Sequence, residues 1–151
     1  MWYRVFARAE IGVSPAKFVE HLHALGLAVQ PHFKGDDLGW TEAALHLPPG
    51  SPVLVAAFRT KEDDLRADLN AHAAELETMN YSPANVPLME RVIQTVQMFT
   101  LRKPIDHADE VRLEALCDAA ARYLAATADG VYQVDGQGWF DAAGNLLLPE
   151  Y

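Results

Sequence analysis

The apolar residues of this chain change repeatedly between the two-residue period of a β-strand and the helical period of about 3.6 residues. Near the start, Trp2–Ile11 has the two-residue period: Tyr3 and Val5 share one face of an extended chain, and Arg4 and Phe6 share the other. This segment is therefore predicted to be a strand. The changes of period fix an order of strands and helices, and that order constrains the fold more than the composition does.

The order of the predicted elements is that of an α+β protein. Helix-end signals and helical spacing predict helices over Pro15–Leu25, after Thr60 and over about His107–Ala126. Alternation and turn residues predict a short strand over Leu27–Phe33, a hairpin of strands Trp40–Leu47 and Val53–Arg59, and a strand over Val92–Leu101. The first elements have the βαββαβ order of a ferredoxin-like unit, in which two helices cover one face of an antiparallel sheet. We predict a single α+β domain over residues 1–151, with an added C-terminal helix and β-meander.

The helix after Thr60 is predicted from its N-terminal residues and from its spacing. Thr60 and Asp63 are placed as in a capping box, acidic residues fill the first turn, and apolar residues such as Leu65 and Leu69 recur at helical intervals. The segment that follows begins with a helical pattern and continues with β-branched residues. We predict a short helical entry and then the strand over Val92–Leu101, with a helix as the alternative there.

The end of the sequence is rich in aromatic residues and leucine, with glycines between them. Val131–Val134, Trp139-Phe140 and Leu146–Leu148 are predicted strands separated by two tight turns, so the segment forms a meander. Its apolar side chains could cover an open face or edge of the sheet, or they could line a binding surface. We favour the role in the core because apolar strands are usually buried.

The charge balance indicates which partners the protein favours. The chain has 12 Lys and Arg residues against 21 Asp and Glu residues, a formal net charge of -9. Binding to a nucleic acid backbone requires the opposite sign, so no nucleic acid partner is predicted. An acidic surface instead accelerates the encounter with a basic partner protein.

The sequence contains one cysteine, Cys117, and neither a secretory leader pattern nor an apolar run of membrane-spanning length. An intrachain disulfide is therefore impossible, and a cytoplasmic protein without a membrane partner is the simplest prediction. Cys117 is predicted to be a small buried residue of a helix and not a reactive thiol.

Motifs for metal, nucleotide and nucleophilic chemistry do not occur in the sequence. His21 and His23 would point to different sides of a helix, and neither HExxH nor paired CxxC is present, so no metal site is predicted. Neither a GxSxG elbow nor a glycine-rich phosphate loop is found, and no cofactor is predicted. The sequence therefore favours a non-catalytic protein.

Functions from different classes remain open. The leading hypothesis is a non-catalytic, protein-binding domain of the immunity or inhibitor kind, which binds a basic protein. The alternative is a small-molecule-binding module or minor enzyme with a pocket near the C-terminal meander. The residues predicted to line that pocket are Trp40, Tyr132 and Trp139, with Asp135 or His32 as its polar group. A homodimer that pairs through an open sheet face is a third hypothesis.

Overall fold

The computed structural model describes residues 1–61 and 63–151, and this part of the chain forms one sheet and four helices. The strands are β1 (Trp2–Ala7), β2 (Gln30–Asp36), β3 (Gly39–His46), β4 (Val53–Arg59), β5 (Gln97–Arg102), β6 (Gly130–Val134), β7 (Gly138–Phe140) and β8 (Leu146–Pro149). The helices are α1 (Pro15–Ala24), α2 (Arg66–Thr78), α3 (Asn85–Ile93) and α4 (Glu110–Thr127). The sheet is antiparallel, with the strand order β2-β3-β4-β5-β1-β6-β7-β8. The predicted α+β class is therefore confirmed.

The ferredoxin-like order is not confirmed, because the strand order differs and helices cover both faces of the sheet. β4 pairs with β5, and β1 lies between β5 and β6, so the N-terminal strand is central. These pairings join residues far apart in the sequence: Arg4 lies between Thr100 on one side and Gln133 on the other. Local periodicity predicts that a segment is a strand, but it does not predict which strands become its neighbours.

Each face of the sheet has its own hydrophobic core. On one face, which we call the α1/α4 face, those two helices pack on residues that include Tyr3 and Val5. On the opposite face, the α2/α3 face, the other two helices pack on residues that include Phe6. The predicted alternation of β1 is confirmed, and both of its faces reach a core because helices cover the sheet on both sides.

Two of the predicted helices have side-chain caps at their N-termini. Ser14 Oγ accepts a hydrogen bond from the Lys17 backbone N–H at the start of α1, and Asp109 Oδ1 accepts one from Arg112 at the start of α4. Both helices are confirmed, with small changes at their ends. No helix within the described residues is long and apolar enough to cross a membrane.

The helix predicted after Thr60 begins later than expected. Asp63 Oδ2 accepts a hydrogen bond from the Arg59 backbone N–H, so this carboxylate closes a turn after β4 and does not cap a helix. α2 starts at Arg66. Residue 62, which the prediction included in the first turn, lies outside the described residues. Acidic residues are common both in turns and at helix N-termini, which explains the error.

Two predicted strand boundaries also change. Val92 and Ile93 belong to α3, and β5 begins at Gln97, so the helical entry is longer than predicted and the strand is shorter. The short strand predicted from Leu27 begins instead at Gln30. In both places β-branched or apolar residues continue across the boundary, so composition does not mark where the element changes.

The C-terminal meander is present as β6, β7 and β8, and it contributes to both cores. Tyr132 is buried on the α1/α4 face, whereas Trp139 and Leu148 are buried on the α2/α3 face. Gly138 has a φ of +133°, and a side chain there would collide with the Leu148 carbonyl. The close approach of β7 and β8 therefore requires glycine at this position.

The α2/α3 face is only partly covered by its two helices. Leu54 of β4 is 47% exposed and Trp2 of β1 is 38% exposed, although both side chains lie on this face. The side of α2 consequently runs beside an uncovered part of the sheet. A groove forms where the helix and the uncovered strands meet.

Candidate functional site

The groove beside α2 consists of two adjoining cavities with volumes of about 560 and 250 Å³. Arg4 and His72 line both cavities, so they lie where the two meet. We call the two cavities together the α2 groove. Its apolar walls are formed by Trp2, Phe58, Leu65 and Met98 in the larger cavity and by Leu76, Met79 and Trp139 in the smaller one. The larger cavity has the volume typical of a small-molecule site, and its mixture of apolar walls and a few polar groups is also typical.

Arg4 is held in the groove by partners from the neighbouring strand. Its Nη1 donates hydrogen bonds to Asp135 Oδ1 at 2.6 Å and to Gln133 Oε1 at 2.7 Å. Gln133 is the residue opposite Arg4 in the β1–β6 ladder, so the register of the two strands brings these groups together. Asp135 Oδ2 also accepts a hydrogen bond from the Trp2 backbone N–H.

The pKa of Asp135 reflects this arrangement. Burial by itself would raise the pKa, but the hydrogen bond and the positive charge of Arg4 outweigh burial and hold the pKa below its ordinary value of 3.8. The carboxylate is therefore charged at neutral pH and compensates the charge of Arg4. The ion pair fixes a guanidinium group at the junction of the two cavities.

His72 lies on the side of α2 that faces the sheet. Its ring packs edge-on against Phe6, with 5.3 Å between the ring centroids and an angle of 77° between the planes. Within residues 1–61 and 63–151, no group makes a hydrogen bond to its ring nitrogens. Burial, and secondarily the charge of Arg4, lower the pKa of His72 below 6.5. At neutral pH the ring is therefore neutral and can both accept and donate a hydrogen bond.

Carboxylates surround the α2 groove at both ends. The larger cavity is lined by Asp63, Asp64 and Asp68, and the smaller one by Glu75, Asp135 and Glu150. Among the described residues that line the groove, Arg4 is the one side chain with a fixed positive charge. The groove therefore carries a net negative charge, which concentrates cations within it.

The structure brings together two of the five residues predicted to line a pocket. Asp135 and Trp139 line the smaller cavity of the α2 groove. Tyr132 is on the opposite face of the sheet, because it pairs with Phe140 whereas Trp139 pairs with Gln133. Its hydroxyl lies 3.1 Å from Asp118 Oδ1, to which it donates a hydrogen bond.

The other two predicted residues lie elsewhere. His32 is exposed on β2, the edge strand at the far end of the sheet. Trp40 lines a separate cavity of about 220 Å³ on the α1/α4 face, next to the loop that joins β1 to α1. The five residues therefore do not form one site, and the pairing of the strands is the reason.

His72 and Arg4 are site residues that the sequence pattern did not predict. Both occupy positions whose local pattern is structural: His72 lies between Leu69 and Leu76 on the packed side of a helix, and Arg4 lies in a regular strand. The sequence feature that could have indicated a site is the histidine itself, because it occupies an inward-facing position of a predicted helix. Such a residue needs a polar partner or an opening to solvent.

Other reactive groups lie outside the groove. Cys117 is fully buried in the α1/α4 core, and burial raises the pKa of its thiol to about 12, so we expect it not to react in the folded protein. Within the described part of the chain, no three His, Cys, Asp or Glu side chains are grouped so that they could hold a metal ion.

Comparisons with protein-family models, with curated proteins and with solved structures found no match to this chain. Two properties of the groove bear on its chemistry. No group in residues 1–61 and 63–151 makes a hydrogen bond to the neutral imidazole of His72, and an acidic, partly apolar wall surrounds this ring.

Proposed function

We propose that this protein binds a small organic cation in the α2 groove. The observation that carries this proposal is the environment of His72, which lines both cavities and has no hydrogen-bond partner in the described chain. The ring is half-buried and lines both cavities, and its nitrogens are not sealed from solvent, so a ligand in the groove can replace water as their hydrogen-bond partner. An ammonium or guanidinium group of the ligand would donate to this ring.

The charges around His72 favour a cation over an anion. Arg4 is compensated by Asp135, so it does not balance the remaining carboxylates. Asp68 is one helical turn before His72 on α2, and Glu75 follows one turn later, so a positive group at His72 would lie between two carboxylates. The electrostatic attraction would be strongest at low ionic strength.

The apolar walls indicate that the cation has a hydrophobic body. Phe58 and Met98 line the larger cavity on the sheet side, and Trp2 lies at its rim with part of its indole exposed. An aromatic ring or an alkyl chain would bury this surface, and the indole face could also attract the positive group. The best candidate is therefore a primary amine attached to one or two rings.

Three indole compounds that differ in charge provide a direct test. Tryptamine is a cation, indole-3-acetamide is neutral and indole-3-acetate is an anion, while the ring is the same. We expect tryptamine to raise the melting temperature in a saturable way, the acetamide to raise it less, and the acetate to leave it unchanged. Equal stabilisation by tryptamine and indole-3-acetate would refute the proposal.

Variants locate the binding site. Asp68→Asn and His72→Leu should each weaken tryptamine binding, because they remove a carboxylate and the hydrogen-bonding ring from the groove. Glu20→Gln is the matched control: it removes the same charge from an exposed position on α1, on the other side of the sheet. Binding that is unchanged in the first two variants, or weakened equally in all three, would place the amine outside the groove.

Recognition of a protein is the second candidate function, and the uncovered part of the α2/α3 face favours it. Leu54 and Trp2 are exposed there on adjacent parts of the sheet, as apolar residues often are in protein interfaces. Self-association would appear in sedimentation velocity as a coefficient that rises with concentration, and Leu54→Arg should abolish the rise. A basic partner protein would instead give a complex that weakens as salt is added, in keeping with the net charge of -9.

A further inference from the structure

A separate cavity of about 220 Å³ lies on the α1/α4 face, between the loop that follows β1 and the turn that joins β2 to β3. It is on the opposite side of the sheet from the α2 groove, so a ligand here would not contact His72. Trp40, Phe99 and Gln97 line it from the sheet, and Glu10 and Arg59 lie at its margin. We call it the Trp40 cavity.

The amide of Gln97 has one half of its hydrogen-bonding capacity unused. Gln97 is only 4% exposed, and its Oε1 accepts a hydrogen bond from the Ile11 backbone N–H at 3.2 Å. Since Ile11 supplies a donor, the oxygen must face it, and the Nε2 group must point elsewhere. No acceptor for Nε2 is found in residues 1–61 and 63–151. Among the described residues, Arg91 Nε is the fully buried side-chain nitrogen that lacks a partner, so Gln97 Nε2 is reached by solvent at the cavity that Gln97 lines. The oxygen of a ligand in this cavity can therefore accept the hydrogen bond that water otherwise takes.

The cavity has an aromatic wall beside that donor, formed by Trp40 and Phe99. The Trp40 ring is fixed because its Nε1 donates to the Val13 carbonyl at 2.9 Å. Phe99 packs next to it, with 5.9 Å between the ring centroids and 36° between the planes. A ligand with a planar ring could therefore lie against a surface that is already ordered, which reduces the entropy lost on binding.

The charges at the margin balance each other. Arg59 Nε lies 3.7 Å from Glu10 Oε1, and Arg59 Nη2 donates to the Leu38 carbonyl at 3.0 Å. The cavity thus has no net charge from these two residues, in contrast to the α2 groove. Its distinguishing polar feature is the amide donor of Gln97, which requires an acceptor oxygen on the ligand. Because the Glu10–Arg59 pair adds no net charge, the cavity offers no counter-charge to a charged ligand and favours a neutral one.

We infer that the Trp40 cavity binds a small aromatic molecule that carries a carbonyl oxygen. The ring lies against Trp40, and the oxygen accepts a hydrogen bond from Gln97 Nε2. The volume is adequate, because a cavity of about 150 Å³ in another protein holds benzene, and 220 Å³ leaves room for a substituent. This site is independent of the one proposed for the α2 groove, and the two differ in the charge of the ligand they select.

Benzamide and benzylamine form a matched pair of probes, since they have the same ring and nearly the same size but only benzamide has a carbonyl oxygen. The ¹⁵N-labelled protein is titrated with each compound, and the side-chain amide of Gln97, the Trp40 indole N–H and the His72 ring are followed by NMR. We expect benzamide to shift the Gln97 and Trp40 signals in a saturable way and to leave His72 unchanged. Benzylamine should not shift the Gln97 and Trp40 signals.

Gln97→Glu tests the donor itself. The variant keeps an oxygen that can accept from Ile11, but it replaces the Nε2 donor with a second oxygen. The probe for this variant is acetophenone, which has the ring and the carbonyl oxygen of benzamide but no N–H group that could donate to the new carboxylate. Its binding should weaken at least about tenfold, which corresponds to the loss of about one hydrogen bond. If the variant binds acetophenone as well as the wild type does, the inference is wrong.

A measurement on the wild-type protein makes the test independent of any variant. Intermolecular NOEs between the benzamide ring and the Trp40 indole protons are expected at saturation. The inference is overturned if benzamide gives no such NOEs, if benzylamine shifts the Gln97 and Trp40 signals equally, or if the Gln97 amide protons show NOEs to water alone when benzamide is in excess.

Discussion

Arg4 and Asp135 form an ion pair with 2.6 Å between Nη1 and Oδ1, although 131 residues separate them in the sequence. The pairing of β1 with β6 brings them together at the junction of the two cavities of the α2 groove. Both residues also affect His72: the charge of Arg4 lowers its pKa, and the charge of Asp135 raises it. The ion pair therefore adjusts the protonation of the imidazole that we propose as the ligand's partner.

The first prediction is that substitutions in this ion pair move the pKa of His72 in opposite directions. Arg4→Gln should raise the pKa, because it removes a positive charge, but only part of the way to 6.5, because burial is the larger cause of the lowered value. Asp135→Asn should lower it further. The ring protons of His72 can be followed by NMR during a pH titration. If the pKa of His72 shifts in the same direction in both variants, the charges of Arg4 and Asp135 do not act on this ring as described.

The second prediction concerns stability in acid. The pKa of Asp135 is lower in the folded than in the unfolded protein, so its contribution is fully present above the unfolded value and is lost as the pH falls through the folded value. Asp135→Asn should therefore cost about 1 kcal/mol at pH 7, a modest value because the carboxylate is partly exposed. The cost should shrink below about pH 4.

Urea unfolding of wild type and Asp135→Asn at several pH values measures this difference. Asp129→Asn offers a comparison, since Asp129 pairs with Arg8 at an exposed position, where hydrogen bonding to Arg8 is the first cause of its lowered pKa. We expect a smaller effect for that variant because water screens the pair more completely. If the loss of unfolding free energy in Asp135→Asn does not depend on pH, the charge of Asp135 does not stabilise the fold.

The third prediction is that binding of an amine in the α2 groove weakens in acid. The pKa of His72 lies below 6.5, so the ring becomes positively charged only as the pH falls from 6.5 through this lower value. A charged imidazole can no longer accept a hydrogen bond, and it repels a cation. Tryptamine affinity should therefore fall across this window, as measured by calorimetry, and His72→Leu should remove that part of the pH dependence.

Much of the fold could be predicted from local patterns, because those patterns reflect contacts within a single element. The alternation in β1 separated Tyr3 from Phe6 correctly, and Ser14 marked the start of α1. The neighbours of each strand could not be predicted in this way. β1 is central only because it pairs with β5 and β6, and no short-range signal specifies those partners.

The candidate sites were less predictable for the same reason. Asp135 and Trp139 were identified from the composition of the meander, and they do line a cavity together. His72 and Gln97 were not identified, because the cavity that each side chain lines is formed by residues that are distant in the sequence. Gln97, for example, is a site residue only because Ile11 occupies its oxygen and leaves its nitrogen unused.

The fourth prediction compares two leucines of β8. Leu148 is completely buried in the α2/α3 core, whereas Leu146 is 52% exposed. Leu148→Ala should destabilise the protein by about 2 to 5 kcal/mol, because it creates a cavity in a packed core. Leu146→Ala should cost less than about 1 kcal/mol. Chemical denaturation of both variants measures the difference, and similar values would mean that the meander does not close the core as described.

The fifth prediction is that Cys117 does not react with thiol reagents in the folded protein. Burial raises its pKa to about 12, an increase that the charge of Lys103 only partly offsets. At pH 8 the thiol is therefore almost entirely protonated, and the side chain is shielded from solvent. Labelling with an iodoacetamide reagent should therefore be slow in native conditions and should proceed through the small unfolded population.

Val111→Cys supplies the positive control for this experiment, because Val111 is on the same helix and is 80% exposed. In the variant, mass spectrometry should find rapid modification of residue 111 and none of Cys117. Adding urea up to the unfolding midpoint should raise the labelling rate of Cys117 in proportion to the unfolded population, while the rate at the exposed site stays nearly constant. Rapid labelling of Cys117 in the native protein would show that the α4 packing opens locally without global unfolding.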